Sequence, residues 1–426
     1  PTVMPSIVWK ASGHLDGLTD PMVKCSKCGS VYRVDKLIKD IDPNADVQKS
    51  DYLKFLEKKK AKCNCGSPLI LDLKEHNLMM KTQVGLDLEA YNRPETATTT
   101  YLPFPQYLNF FRDKLPFGVF QIGKAYRNEI SPRQFIIRMR EFTQAEGQLF
   151  IFEKEKETFG RFEKVSDKEL PLLRAGSKDV EDVSLGDAIQ KKYLKNKAYA
   201  WTLGVAYDLF VEMGISHNKI RFRQHDNDEK AFYADDAWDL EINMSSLGWE
   251  EFCGIHDRTN YDLKQHESFS KTKMQAQSES GRETPHILEI AFGTDRAVMA
   301  VMDSSYEDDK ERGNKVLHFK SSIAPLQVGV FSLVNKINEK ALEVYEGIKE
   351  DFICVFDKSG SIGRRYARAD ELGIPYCITV DFDSLEKEDV TIRDRDTTEQ
   401  VRVKISELRE VLSRLLKGEV EFKDLK

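Results

Sequence analysis

The stretch that most constrains how this chain can fold runs from residue 137 to residue 146, where charged and apolar side chains alternate. A strand repeats its side-chain direction every two residues. Arg138, Arg140, Phe142, Gln144 and Glu146 therefore share one face, with Ile137, Met139, Thr143 and Ala145 on the other. The second face is core, and the first is a working surface. The preceding strand ends in Tyr126-Arg127-Asn128-Glu129, and a loop through Ser131-Pro132-Arg133 returns the chain, so the two strands form an antiparallel hairpin. Guanidinium forks bind phosphate bidentately, and Phe142 offers a π face for a base, so this surface suits a nucleotide. The alternative is a solvated charged face, which has no need of Phe142.

Two further segments extend the pattern. Trp238 to Met244 alternates apolar even positions with polar odd ones. Ile287 to Ala291 runs into Phe292-Gly293-Thr294-Asp295-Arg296 and then the apolar helix Ala297 to Met302. Gly293 permits a sharp strand-to-helix turn and Thr294 can cap the helix, so that Arg296 emerges in its first turn beside Glu289. Carboxylates close to phosphate-binding arginines imply Mg²⁺, because otherwise they would repel the same phosphates.

Seven cysteines fall unevenly, and the odd number disfavours a disulfide framework. Cys25-Ser26-Lys27-Cys28 and Cys63-Asn64-Cys65 are each followed by glycine, and 34 residues separate the pairs. Two such turns can aim four thiolates at one tetrahedral zinc about 2.3 Å away. Four reduced thiols in an apolar pocket remain the alternative. Cys253, Cys354 and Cys377 lie in apolar contexts and read as buried hydrophobes, while His76 and His286 read as structural.

At 426 residues the chain is long enough for two or three domains with a substantial core. Its composition, 40% hydrophobic and 32% charged with both signs mixed, is that of a globular chain. No uncharged apolar run approaches a membrane span, no signal peptide is legible, and a cytoplasmic location is expected. The chain opens at Pro1 without an initiator methionine, so further residues are expected upstream. A net charge of −7 argues against a general nucleic-acid coat and leaves any polyanion to local patches.

Residues 1–85 carry the two cysteine pairs and a Lys-rich helix near Asp51 to Lys62. Strand-rich segments of one sheet domain follow at 86–152 and 197–322, separated by a charged, helix-forming insertion at 153–196. Asp262 to Glu283 is polar and reads as a mobile excursion. After Pro325 the grammar becomes alternating strand and helix, which implies a compact α/β domain with parallel strands over 323–426. There, Ser359-Gly360-Ser361-Ile362-Gly363 precedes a helix bearing Arg364, Arg365 and Arg368. It lacks the lysine of a phosphate loop, and a plain strand-to-helix turn is the better reading.

Tyr126 to Glu129 followed by Arg138 to Phe142 resembles motif 2 of class II aminoacyl-tRNA synthetases, and Phe292 to Arg296 resembles their motif 3. Arg93-Pro94-Glu95-Thr96-Ala97, Arg127 to Arg133, Ala145-Glu146, Asp257 to Leu263 and Trp9 to His14 narrow the resemblance to glycyl-tRNA synthetases of the dimeric type, in an archaeal-like form. The resemblance implies an α+β fold: an antiparallel catalytic sheet flanked by helices, a zinc-knuckle insertion, and a C-terminal α/β anticodon-binding domain. It also implies a homodimer whose partners are glycine, ATP and tRNA(Gly). Carried over by motif, Arg127 holds the α-phosphate and the glycine carboxylate, Glu129 and Phe142 fix the adenine, and Arg138 and Arg296 grip the outer phosphates. Glu95 and Glu146 face the glycine ammonium, and Glu251 and Glu289 bind magnesium or the amino acid. Arg364, Arg365 and Arg368 meet tRNA backbone, with Arg393 or Arg395 reaching bases.

The sequence departs from the family pattern in places. Better-known members read Glu-Pro-Ser where this chain has Glu289-Ile290-Ala291, so an expected hydroxyl is absent. Gln-Gly-Ile is replaced by Thr98-Thr99-Thr100, and motif 1 is missing. The competing function is a noncatalytic nucleic-acid-binding relative of the same architecture. Nothing in such a protein would demand arginine at 127, 138 and 296 together.

Overall fold

The computed structural model describes every residue except 43, 44, 46, 131, 133–135, 227, 228, 232 and 426. Ser131 and Arg133 of the expected hairpin loop therefore lie outside the described residues. Near the amino terminus, β1 (Thr19–Cys25) pairs antiparallel with both β2 (Val31–Arg33) and β3 (Leu69–Asn77). The helices α1 (Val34–Ile41) and α2 (Tyr52–Lys58) fall between β2 and β3 in the chain. Val23, Val34, Ile38, Leu56 and Leu69 make a small core that also takes in Cys25 and Cys63.

The dominant element is an eight-stranded sheet. Its strands are β4 (Phe117–Tyr126), β5 (Glu141–Ile151), β6 (Glu169–Leu173), β7 (Glu181–Ser184), β8 (Ile220–Gln224), β9 (Asp236–Met244), β10 (Gly248–Asp257) and β11 (His286–Gly293), in the order β7-β6-β8-β9-β10-β11-β5-β4. Helices α3 (Lys197–Glu212), α4 (Tyr261–Ser270) and α5 (Thr294–Ser305) connect or follow its strands. Phe117, Phe150 and Ile287 of this sheet share one buried cluster with Phe104 and Leu263.

Three expectations are corrected. The insertion 153–196 is mostly not helical: beyond two 3₁₀ turns and one six-residue helix it supplies β6 and β7. Leu170, Pro171 and Leu172 are buried in succession and Val183 is buried opposite Leu170, so sheet packing overrides the helix propensity of the charged residues around them. The stretch 262–283 is likewise ordered, as α4 and a short hairpin of Ala276–Ser278 with Gly281–Glu283. Leu263, His266, Met274 and Ala276 anchor it because they are buried. Finally, β5 begins only at Glu141, so Arg138 and Arg140 precede the strand instead of sharing its face. The last cross-strand pair is Tyr126 with Glu141, and beyond it the Arg127 N–H to Arg140 carbonyl bond continues the hairpin.

The carboxy-terminal sheet is built from β12 (Val328–Ser332), β13 (Cys354–Asp357), β14 (Tyr376–Val380), β15 (Asp389–Asp394) and β16 (Gln400–Lys404), in the order β13-β12-β14-β15-β16. The first three are parallel, as the strand–helix alternation predicts, and the last two run antiparallel. Helices α6 (Asn338–Ile348), α7 (Ile362–Glu371) and α8 (Leu408–Leu416) accompany them. Val330, Ile378, Ile392, Val344 and Leu412 share its core.

The chain divides into two compact units, one of 1–204, 223–239 and 252–296, the other of 205–222, 240–251 and 297–426. Among the described residues, no helix is long and apolar enough to cross a membrane.

Candidate active site

Antiparallel pairing places directly opposite residues on the same face. Gln148 stands opposite Val119 and Glu289, Glu146 opposite Gln121 and Ala291, and Gln144 opposite Gly123 and Gly293. On β10, His256 stands opposite Glu289 and Gly254 opposite Ala291. The working face is thus three cross-strand rows in which Gly123, Gly293, Ala291 and Gly254 leave a low floor between Gln144, Glu146 and Glu289. Gly123 is needed there: a Cβ would run into the guanidinium of Arg93, whose Nε donates to the Lys124 carbonyl at 2.7 Å.

Glu289 is 3% exposed and saturated with donors. Arg258 Nη1 reaches its two oxygens at 3.2 and 3.1 Å, Tyr101 Oη and Gln148 Nε2 donate to Oε2 at 3.0 and 3.1 Å, and His256 Nδ1 lies 3.0 Å from Oε1. Arg258 also forks onto Asp262, at 2.8 and 3.0 Å, and lies over the ring of Tyr233. Burial opposes the charge on Glu289, but Arg258 first, then His256 and Gln148, outweigh it and hold this carboxyl well below its ordinary range. With both oxygens so engaged, Glu289 has no lone pair to spare for magnesium. That expected role is corrected: Glu289 anchors the pocket.

Glu146 is in the opposite condition. It is 2% exposed, and its Oε2 has no hydrogen-bond partner among the described residues. Burial, then the negative charges of Glu289 and Glu95, push its carboxyl well above the ordinary glutamate value. Glu95 follows the turn after Arg93, and His14 Nε2 lies 3.2 Å from its Oε1, with Ser12 Oγ 2.7 Å from His14 Nδ1. Burial works against ionisation of Glu95, yet His14 and Arg258 prevail and bring its carboxyl down to about 2. Three acidic groups therefore surround a small-residue floor, and the Oε2 of Glu146 is left open for a cation.

The strand-to-helix turn after β11 locks this floor to the hairpin. Beyond the pair of Gly293 with Gln144, Asp295 accepts the Thr143 N–H at 2.7 Å and Thr294 Oγ1 donates to the Thr143 carbonyl at 3.2 Å. Arg296 Nε donates to the Ile137 carbonyl at 2.8 Å, which holds the segment leading into β5 in place. Arg127 Nε donates to the Pro94 carbonyl at 3.2 Å while its guanidinium lies 5.5 Å from the centre of the half-buried Phe142 ring. Arg138 Nη1 is 3.9 Å from Glu129 Oε2. Arg127, Glu129, Arg138, Phe142 and Arg296 thus belong to one hairpin-and-turn assembly.

Glu251 does not join this surface. Period two along β10 puts Gly254 and His256 on the working face and Glu251 on the other, so of two adjacent glutamates it is Glu250 that has the working-face parity. Three C-terminal arginines are also reassigned. Arg365, 2% exposed, donates to the carbonyls of Ser332, Lys358 and Gly360. Arg393 forks onto Asp370 at 2.8 and 3.1 Å, and Arg395 donates to the Gly373 and Phe319 carbonyls. Their guanidiniums are consumed inside the fold and cannot meet tRNA. Arg365 also draws the Gly360 carbonyl inward, which leaves that loop a structural strand-to-helix turn. Arg364 is exposed, and Arg368 is half-exposed on Asp357.

The four cysteines do converge. Cys25 and Cys65 sulfurs are 3.6 Å apart, those of Cys28 and Cys63 3.4 Å, and all four lie within 4.8 Å of one another. A tetrahedron with bonds of about 2.3 Å has edges near 3.8 Å, so the set fits a metal ion. Gly29 and Gly66, at φ of +75° and +82°, make the turns that fold each pair back. Peptide N–H groups of Lys27 and Cys28 point at Cys25 Sγ, and Tyr32 Oη is 3.1 Å from Cys63 Sγ. Among the described residues, the other convergence of ligand types, His225, Glu229 and Asp239, is tied up by Arg223, which bonds both carboxylates.

Sequence reasoning passed over Arg258, Tyr101, Gln148, His256 and His14. Arg258 and His14 stood inside recognisable segments without a role, and Gln148 continued the alternation of β5 by one more step. Tyr101 and His256 carried no signal, since only the fold brings either to Glu289.

Residues 86–305 match the model of the tRNA synthetase class II core domain (G, H, P, S and T), and residues 327–415 that of the anticodon binding domain. The chain is 35% identical to the glycine–tRNA ligase of Methanococcus maripaludis (strain S2), over 96% of this chain and 88% of that protein. It is 36% identical to the glycine–tRNA ligase of Methanocaldococcus jannaschii, over 98% and 89%. Against the one of Archaeoglobus fulgidus it is 35% identical, over 99% and 87%. A crystal structure described as the RNA binding domain of threonyl-tRNA synthetase from Cryptosporidium parvum Iowa II is similar in fold. Its TM-score is 0.59 at 16% identity, covering 97% of this chain and 84% of that one.

Proposed function

The chain belongs to the glycine–tRNA ligase family of class II aminoacyl-tRNA synthetases, and from that premise we propose how its own residues join glycine to tRNA(Gly). The observation that carries the reading is the open oxygen of Glu146, buried between Glu95 and Glu289 over a floor of glycine and alanine. Such a pocket attracts one small cation. A glycine ammonium docks on Glu146 and Glu95, while Arg127 holds the glycine carboxylate against the α-phosphate of ATP. Phe142 and Glu129 receive the adenine, and Arg138 and Arg296 take the outer phosphates.

A carboxylate oxygen of glycine then attacks the α-phosphorus, a new P–O bond forms in line, and the bond to pyrophosphate breaks. In the second step a ribose hydroxyl of the terminal tRNA adenosine attacks the glycyl carbonyl and AMP leaves. No side chain is needed as nucleophile, because the work is positioning and charge neutralisation. Magnesium enters this scheme as the companion of the ATP phosphates, without Glu289. The four-cysteine set is proposed to hold a structural zinc ion, which four thiolates suit. Arg364 and Arg368 are the remaining candidates for tRNA contact in the 323–426 domain.

A homodimer in the cytoplasm completes the reading. It is supported by the edge strand β4, whose outward residues Phe120 and Ile122 are 79% and 60% exposed and invite cover by a second copy. Sedimentation analysis tests that part. The central experiment is amino-acid-dependent ATP/pyrophosphate exchange with glycine, alanine, serine and proline side by side. Glycine alone should support fast exchange. Comparable rates with alanine or serine would overturn the specificity, and no exchange with any amino acid would favour the noncatalytic alternative.

A further inference from the structure

We infer that His256 is a specificity-determining residue, the group that closes the amino-acid pocket to any substituent on the α-carbon. The inference deepens the glycine–tRNA ligase reading and rests on it.

A glycine-sized site needs something solid where a methyl would go, because a substrate without a side chain cannot be selected by grasping it. The floor itself cannot provide that bulk. In the row of Glu146, the neighbours toward β10 are Ala291 and Gly254, which leave the face low beside the open carboxylate. An α-substituent pointing along this row would lie over two nearly bare backbones.

His256 fills that space. Its Cε1 would be 2.8 Å from a Cβ built on Gly254, so the imidazole occupies the volume that any side chain at 254 would claim. The ring is not free to swing away. Nδ1 is held 3.0 Å from Glu289 Oε1 on one side. On the other, the His225 ring packs edge-on with centroids 6.0 Å apart, and His225 Nε2 is itself fixed 2.7 Å from Asp239. A ring held at both edges and seated on a glycine is a rigid wall, in contrast to a flexible chain tip that a larger substrate could push aside. Glycine at 254 makes room for the histidine, and the histidine takes the room from the substrate.

The test is a volume series at position 256, assayed by ATP/pyrophosphate exchange with glycine and L-alanine on the whole chain, with thermal melting as a check on folding. Discrimination over one methyl spans roughly 10- to 200-fold. His256→Ala should raise the alanine-to-glycine ratio of kcat/KM by about that factor. His256→Val should fall between, and His256→Phe, which keeps a ring and loses the nitrogens, should stay near the wild-type ratio. A purely structural residue would lower both substrates together and leave the ratio unmoved. Should the alanine variant not fold, the order of the valine and phenylalanine variants still decides the matter. An unchanged ratio in folded His256→Ala or His256→Val overturns the inference, as does a phenylalanine variant that relaxes as far as alanine. Failure of the wild type to exchange glycine would instead sink the ligase reading itself.

Discussion

Replacing Glu146 by glutamine tests the charge logic of the pocket directly. In the free protein this carboxyl is buried, flanked by Glu289 and Glu95, and held protonated well above the ordinary glutamate range. A neutral amide of the same shape should therefore cost the fold little. The folded state keeps a proton that the unfolded chain gives up above its ordinary pKa of about 4.3, so this group costs stability as pH rises through that window up to its raised folded value. A glutamine side chain has no such proton to keep, and E146Q should melt no lower than the wild type at neutral pH. Glycine binding should behave in the reverse way. An ammonium arriving at the open oxygen favours the ionised carboxyl, so one proton leaves as glycine enters. The KM for glycine should then fall with rising pH, about tenfold per unit while the free carboxyl remains protonated. Losing a hydrogen bond to a charged group costs about 1.5 to 3 kcal/mol. That raises the glycine KM of E146Q by roughly 10- to 150-fold and flattens its pH dependence. Exchange kinetics between pH 6 and 9, with ATP saturating, provide the readout. An E146Q protein with wild-type KM, or one that keeps the wild-type pH slope, would refute the reasoning.

Arg127→Ala should lower exchange by at least about 10²-fold while tRNA retention on filters persists. Arg364→Glu should weaken tRNA retention and spare exchange, whereas Arg365→Ala, losing three carbonyl contacts inside the fold, should show itself as a lower melting temperature. Lys156→Met strips the buried Asp257 of two 2.7 Å bonds and should cost about 3 to 5 kcal/mol in urea unfolding; adding Asp257→Asn should recover part of the loss. Elemental analysis should find about one zinc per chain, as one four-ligand site requires, and chelation should lower the first unfolding transition. A protein that binds no metal yet melts unchanged after chelation would dismiss the zinc assignment.

Much of the catalytic surface is legible in the sequence, because a strand's period of two is local and needs no knowledge of what lies across from it. That rule places Phe142, Gln144 and Glu146 together, and the Gly293-Thr294-Asp295-Arg296 turn advertises its own geometry. The cysteine pairs are legible for the same reason, each being a short turn with its glycine in place. Where the local signal is only charge, it misleads. Arg365, Arg393 and Arg395 look like a tRNA-facing run, yet burial turns them into ties for carbonyls and for Asp370. Residues 153–196 look helical, but their alternate leucines find a sheet edge to extend.

What the amino-acid order determined by itself, then, is the family, the existence of an arginine-bearing hairpin and a four-thiol set, and the strand–helix grammar of the last hundred residues. Only the tertiary structure decided the ionisation of the acidic groups and their division of labour. Glu289 is saturated by Arg258, Tyr101, Gln148 and His256, which come from three separate segments, whereas Glu146 is left with an open oxygen. The two glutamates are the same residue type, and their difference arises because burial and neighbouring charge set a carboxyl's state, and both depend on which distant segments the fold brings to it.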